Sequence, residues 1–163
     1  MKGLENHTYL VLYIISNIIA ILMLWASWKH SRLLRFMLLI VFVWASWTNW
    51  NEAIVAPQFY MDSATLPFSG FSRHILHGWF SKHITLVVGF IATYQALIAV
   101  SMLLKGWIFE MGIIGGIVFL LAIAPLGVGA AFPCTVILAI ALWRVLRIKE
   151  TDYLWLVSPG KEI

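Results

Sequence analysis

The chain has 163 residues, of which 62% are hydrophobic and 11% charged, with a formal net charge of +4. Soluble domains carry about 25% charged residues, so this composition indicates an integral membrane protein with no room for a separate soluble enzyme domain. The basic residues adjoin apolar segments, which favours a role in topology over nucleic-acid binding, and the single cysteine, Cys134, excludes an intrachain disulfide.

Five apolar segments are predicted to cross a bilayer, which takes about 20 helical residues per span. They are residues 8–28, 33–56, 84–104, 107–126 and 133–146. The last two are separated at PLGVGAAFP, because its two prolines and two glycines break a helix. The glycines Gly112, Gly115 and Gly116 are expected to let the fourth span pack closely. We therefore predict an all-α, polytopic membrane helix bundle in one domain, residues 1–163, whose first helix is retained in the mature protein.

The positive charges set the predicted orientation. Lys29, Arg32 and Arg35 lie in or next to the first linker, and an excess of Lys and Arg marks cytoplasmic loops. The N-terminus is then external and the C-terminus cytoplasmic. A division into four spans would place the basic tail, with Arg144 and Arg147, outside, so five spans are predicted.

The second span combines a polar face with an arc of tryptophans. Polar side chains at membrane depth usually face a protein interior or a cavity. Trp44 is expected near mid-membrane, buried against another helix or a ligand, because its indole N–H needs an acceptor. A pocket for a lipophilic molecule is predicted to be lined by Trp44, Trp47, Thr48, Asn49, Glu52, Tyr94 and Gln95. The alternative is an ordinary interhelical hydrogen bond of Glu52 with Gln95 or Tyr94, worth about 1 kcal/mol.

Residues 57–83 form the only long connection and are predicted to be an external loop with an amphipathic, interfacial helix. His74 and His77 are three residues apart and could reach one point with His83 and Glu52. Such nitrogen and oxygen ligands suit a metal, and the histidines could also transfer protons near neutral pH. The alternative is a set of solvated interfacial histidines. Because the chain lacks an H-E-x-x-H pattern, we do not predict a metal site. If a metal were bound, His74, His77, His83 and Glu52 would be its candidate ligands.

The order of segments from Arg35 onward carries a family resemblance. The span RFMLLIVFVWASWTNWNEA is followed by an external PQFY…LP segment with an amphipathic stretch, then by HITLVVGFIATYQALIAVSMLLKGW and a glycine-rich pair of closing spans. This layout resembles the DoxX-like family of small bacterial membrane proteins. The resemblance implies a four-helix core to about residue 148, with residues 8–28 as an added helix, located in the cell inner membrane. It also implies an association with quinone or redox partners. Where the family often has an acidic residue, this chain reads Tyr94-Gln95-Ala96, so no carboxylate chemistry is carried over to that position.

The absence of a catalytic constellation favours a non-enzymatic role. We predict a membrane subunit or a binder of a lipophilic molecule, a quinone or a lipid, within a membrane complex. The first alternative is a quinone-linked redox enzyme subunit that uses Glu52 and the loop histidines. The second is a transporter, which would have to oligomerise because the chain is too short for internal inverted repeats. The expected partners are the lipid bilayer, other membrane subunits or further copies of the chain, and no nucleic acid.

Overall fold

The protein is helical, as predicted. The computed structural model describes residues 7–55, 83–125, 132–148 and 153–155. Within these ranges five α-helices occupy the five apolar segments: α1 (His7–Lys29), α2 (Ser31–Val55), α3 (Ile84–Leu103), α4 (Trp107–Ile123) and α5 (Cys134–Ile148). Three of them, α1, α2 and α3, are long and apolar enough to cross a membrane. The predicted helix of the external loop and the middle of PLGVGAAFP lie outside the described residues.

The helix contacts close into a ring. Each helix packs against its neighbours in the chain, and α1 packs against α5. Only His30 separates α1 from α2, and residues 104–106 join α3 to α4. The latter turn uses Gly106 with φ 63°, a conformation that glycine adopts without a steric penalty. The interior contains Met23, Leu38, Phe42, Met102, Phe109, Ile113 and Leu142.

This antiparallel arrangement gathers the positive charges at one end of the bundle. We call it the basic end, where α1, α3 and α5 finish and where α2 and α4 begin. The lysines and arginines of the described residues all lie there: Lys29, Arg32, Arg35, Lys105, Arg144 and Arg147.

Glycines allow α4 to lie close to its neighbours, as predicted. A Cβ on Gly112 would overlap the side chain of Ser101 in α3, and one on Gly115 would lie 2.7 Å from the Tyr94 hydroxyl oxygen. A Cβ on Gly116 would lie 3.0 Å from a side chain of α5. Helices in a membrane associate by such close packing, because lipid provides no hydrophobic driving force between them.

A buried arginine joins α2 to the end of α3. Arg35 is 1% exposed, and its Nη2 donates to the carbonyl oxygens of Met102 at 2.9 Å and Leu104 at 2.8 Å. Its guanidinium carbon lies 3.9 Å from the centroid of the Phe109 ring in α4. The last carbonyls of a helix have no intrahelical donor, and the helix dipole favours a cation there. Arg35 therefore connects α2, α3 and α4 at the basic end. The sequence indicated only a role for this residue in orienting the protein in the membrane.

The described part of the C-terminal tail also binds this helix end. The backbone N–H of Leu154 donates to the Leu103 carbonyl oxygen at 3.4 Å. The Lys105 ammonium lies 4.7 Å from the centroid of the Tyr153 ring, which in turn stacks on Trp155 at 4.7 Å between centroids. The tail thus supplies a donor to a carbonyl that lies between the two that Arg35 binds.

We expect replacement of Arg35 by methionine to lower the free energy of unfolding by about 2–3 kcal/mol, because two buried carbonyls lose a charged donor. Arg35→Lys keeps a charge but loses the planar contact with Phe109, so an intermediate loss is expected. The measurement is denaturant unfolding of the detergent-purified protein followed by circular dichroism. Lys29→Met, at an exposed lysine of the same end, is the control and should stay near the wild-type value. Equal stabilities of the Arg35→Met and Lys29→Met variants would contradict the role of Arg35.

Candidate functional site

Five of the seven residues predicted to line one pocket fall into three separate environments. Two of them meet at the contact between α2 and α3, two lie on the outside of α2, and Tyr94 faces α4. We call the first environment the α2–α3 seam and the second the outer aromatic face.

Polar side chains fill the α2–α3 seam. The Ser46 hydroxyl donates to the Ala92 carbonyl oxygen at 2.7 Å, and the Asn49 Nδ2 donates to the Gln95 Oε1 at 2.7 Å. Ser46 and Gln95 are both buried. A hydrogen bond in this environment satisfies groups for which hydrocarbon offers no partner. These side chains therefore hold the two helices together.

The seam continues toward the end opposite the basic end. The Thr85 hydroxyl donates to the Ala53 carbonyl oxygen at 3.2 Å. The Trp50 ring lies over Gly89, where an added Cβ would be 3.1 Å from the nearest ring carbon. Glycine at this position therefore admits the indole between the two helices.

Among the described residues, the alternative hydrogen bond of Glu52 with Gln95 or Tyr94 is not formed, and Gln95 accepts from Asn49 instead. Asn49 lies on the side of α2 that faces α3, together with Ser46 and Ala53. Glu52 precedes Ala53 by one residue, or about 100° around the helix, and is therefore turned away from the centre of the seam. Its side chain is half-buried.

The outer aromatic face consists of Trp44 and Trp47. Their side chains are 68% and 73% exposed, so the expected burial of Trp44 against another helix of the chain is wrong. The cause is the seam, which takes the opposite side of α2 and turns the tryptophans outward. The Thr48 hydroxyl donates back to the Trp44 carbonyl oxygen at 2.9 Å, within α2 itself. Asn51, one turn beyond Trp47, is also exposed.

The depth of Trp44 makes this exposure unusual. At 1.5 Å per residue, Trp44 lies about 20 Å from the first residue of α2 and about 17 Å from the last. In a span across a core of about 30 Å it is near the centre of the bilayer. Tryptophan usually concentrates at the membrane surfaces, where its N–H meets acceptors. The outer aromatic face thus presents indole donors where lipid tails accept no hydrogen bond.

Tyr94 belongs to neither group. Its hydroxyl lies against Gly115, and its ring centroid is 6.1 Å from that of Phe119 in α4. Phe119 also contacts Phe42 of α2, at 6.5 Å between ring centroids. Tyr94 therefore packs α3 against α4 and takes no part in the outer aromatic face.

The candidate metal ligands are only partly described. His83 is exposed just before α3, whereas His74 and His77 lie outside the described residues. Within the described ranges no three His, Cys, Asp or Glu side chains lie close enough together to hold a metal. The convergence of Glu52 with the loop histidines stays a prediction.

Comparisons with protein-family models, with curated proteins and with solved structures give no match to this chain. The DoxX-like layout therefore stays a hypothesis based on the order of its segments.

We expect a coupling of about 0.6–1.7 kcal/mol between Asn49 and Gln95, the range found for hydrogen bonds between membrane helices. It is measured by a double-mutant cycle with Asn49→Leu and Gln95→Leu, using unfolding free energies in detergent micelles. Thr48→Val with Gln95→Leu is the matched control cycle and should show no coupling, because Thr48 bonds within its own helix. A coupling near zero for the first cycle would mean that this contact does not stabilise the seam.

Proposed function

We propose that this protein is a non-enzymatic membrane subunit that binds a lipophilic molecule, a quinone or a lipid, on the outer aromatic face of α2. The observation that supports this proposal is the exposure of Trp44 and Trp47 near the middle of α2. A quinone or a lipid ester carries carbonyl oxygens on an apolar body. It can therefore accept from an indole N–H while its remainder lies among lipid tails.

The seam supports the same assignment because its polar groups are used in contacts between α2 and α3. Ser46, Asn49 and Gln95 make hydrogen bonds between or along helices, so their polar atoms serve packing. The two indole donors are the part of the predicted lining that faces away from the bundle. Each ring also offers a large flat surface against which a planar headgroup can stack.

We further propose five spans in the cell inner membrane, with an external N-terminus and the basic end in the cytoplasm. The clustering of the described lysines and arginines at that end supports this orientation. The shorter helices α4 and α5, of 17 and 15 residues, have partners on two sides in the ring. Local thinning of the bilayer accommodates such short spans at modest cost.

The ligand proposal is tested with Trp44→Phe and Trp47→Phe, which keep an aromatic ring and remove the N–H donor. Losing one neutral hydrogen bond should reduce the co-purified lipophilic molecule about threefold, and Trp47→Ala should reduce it further. The retained molecules are extracted from the detergent-purified protein and quantified by mass spectrometry. Trp107→Phe, at an exposed tryptophan of α4, is the control and should change nothing. Unchanged content in both phenylalanine variants at α2, or an equal loss in the control, would argue against this face.

The orientation is tested by cysteine labelling in a Cys134→Ser background, which removes the only native thiol. An impermeant maleimide added to intact cells should label Asn6→Cys and should label Ser158→Cys only after the membrane is permeabilised. The reverse pattern would invert the proposed topology, and labelling of both positions in intact cells would require an even number of spans.

A further inference from the structure

Two arginines of α5 lie over tryptophan rings at the basic end. The guanidinium carbon of Arg144 is 4.3 Å from the centroid of Trp28 in α1, and that of Arg147 is 5.1 Å from the centroid of Trp143. The Trp28 side chain is 55% exposed and the Trp143 side chain 50%. Tryptophan and arginine together are typical of the headgroup level of a membrane.

Arg144 is held in a fixed orientation. Its Nε donates to the Ser27 hydroxyl oxygen at 3.2 Å, and Ser27 itself is 1% exposed. The Ser27 hydroxyl in turn donates to the Leu24 carbonyl oxygen, so α1 fixes the acceptor as well as the ring below the guanidinium. Because Nε donates to Ser27, the N–H groups of Nη1 and Nη2 are the donors of Arg144 that can bind a further partner.

The partner is not a carboxylate of the described residues. Those ranges contain two, Glu52 toward the opposite end and Glu110 in the first turn of α4. Neither forms an ion pair with Arg144. The planar fork of an arginine matches the oxygens of a phosphate, with two parallel hydrogen bonds.

We infer that the edge between α1 and α5 at the basic end binds the phosphate of an anionic phospholipid, with Arg144 as its phosphate-binding group. The surface just below the arginine is apolar and exposed, with Ile21, Trp25 and Ile140 available to the acyl chains. Lys29 and Arg147 add positive charge close by, which favours an anionic over a zwitterionic headgroup. The inference requires only the membrane location of the protein and is independent of the outer aromatic face of α2.

The test is titration of the detergent-purified protein with dioleoyl phosphatidylglycerol, followed by native mass spectrometry. Phosphatidylcholine of the same chains and inorganic phosphate form the two comparison arms. We expect tighter binding of phosphatidylglycerol than of phosphatidylcholine, and about a tenfold loss of that affinity in Arg144→Gln. Arg147→Gln removes the same charge one turn along α5 and should cost only about twofold to threefold.

Ser27→Ala keeps every charge and removes only the acceptor that orients Arg144. It should weaken phosphatidylglycerol binding about threefold, and phosphatidylcholine binding by a similar factor, because both lipids carry the phosphate that Arg144 binds. This variant decides the outcome if Arg144→Gln loses its helical circular dichroism signal. Equal losses in the Arg144 and Arg147 variants would overturn the site in favour of diffuse attraction. Displacement of the lipid by millimolar inorganic phosphate would overturn the assignment of a lipid. Equal affinity for the two lipids would overturn the assignment of an anionic headgroup.

Discussion

The end of α3 is the point on which the arrangement of the bundle depends. Its last carbonyl groups have no donor within the helix and must find donors from elsewhere. Arg35 binds two of these carbonyls, Leu154 binds the one between them, and the N–H of Leu104 turns back to Ser101. Since Arg35 belongs to the first turns of α2, satisfying α3 also sets where α2 lies along it. From that contact the two helices run antiparallel in a constant register. Ser46 lies opposite Ala92, and further along α2 Ala53 lies opposite Thr85.

This register determines what the remaining polar and aromatic groups of α2 can do. Once the side with Arg35, Ser46 and Asn49 faces α3, the arc with Trp44 and Trp47 must face outward. Individual hydrogen bonds between membrane helices contribute little, about 0.6 kcal/mol on average, so the seam acts mainly by specifying rotation. Close packing contributes elsewhere, at the α4 glycines. The polar interface of α3 with α2 thus specifies the rotation of α2, whereas the interface of α3 with the glycines of α4 provides close packing.

The elements of this fold were accessible from the sequence, whereas the rotation of α2 was not. Apolar run lengths and the Pro125–Pro133 break were enough to predict five helices, and Gly112, Gly115 and Gly116 correctly indicated close packing. Helical spacing predicts which residues share a face but leaves open which neighbour that face meets. For that reason Gln95 or Tyr94 was the alternative partner for Glu52, whereas Gln95 accepts from Asn49. For the same reason Trp44 was expected to be buried against another helix or a ligand. The role of Arg35 was hidden because its acceptors are 67 and 69 residues away along the chain, and no local pattern signals such a contact.

The same constraint bears on how the outer aromatic face can bind a ligand. A platform of side chains binds with little loss of entropy when the element that carries it is already fixed. Here α2 is held at the basic end by Arg35, along its middle by Ser46 and Asn49, and beyond them by the Trp50 ring over Gly89. These contacts together define the rotation of α2 that places Trp44 and Trp47 on its outer side. A ligand bound on this face as proposed would meet indole groups whose position is set by contacts on the opposite side of the helix. The seam would then support binding without touching the ligand.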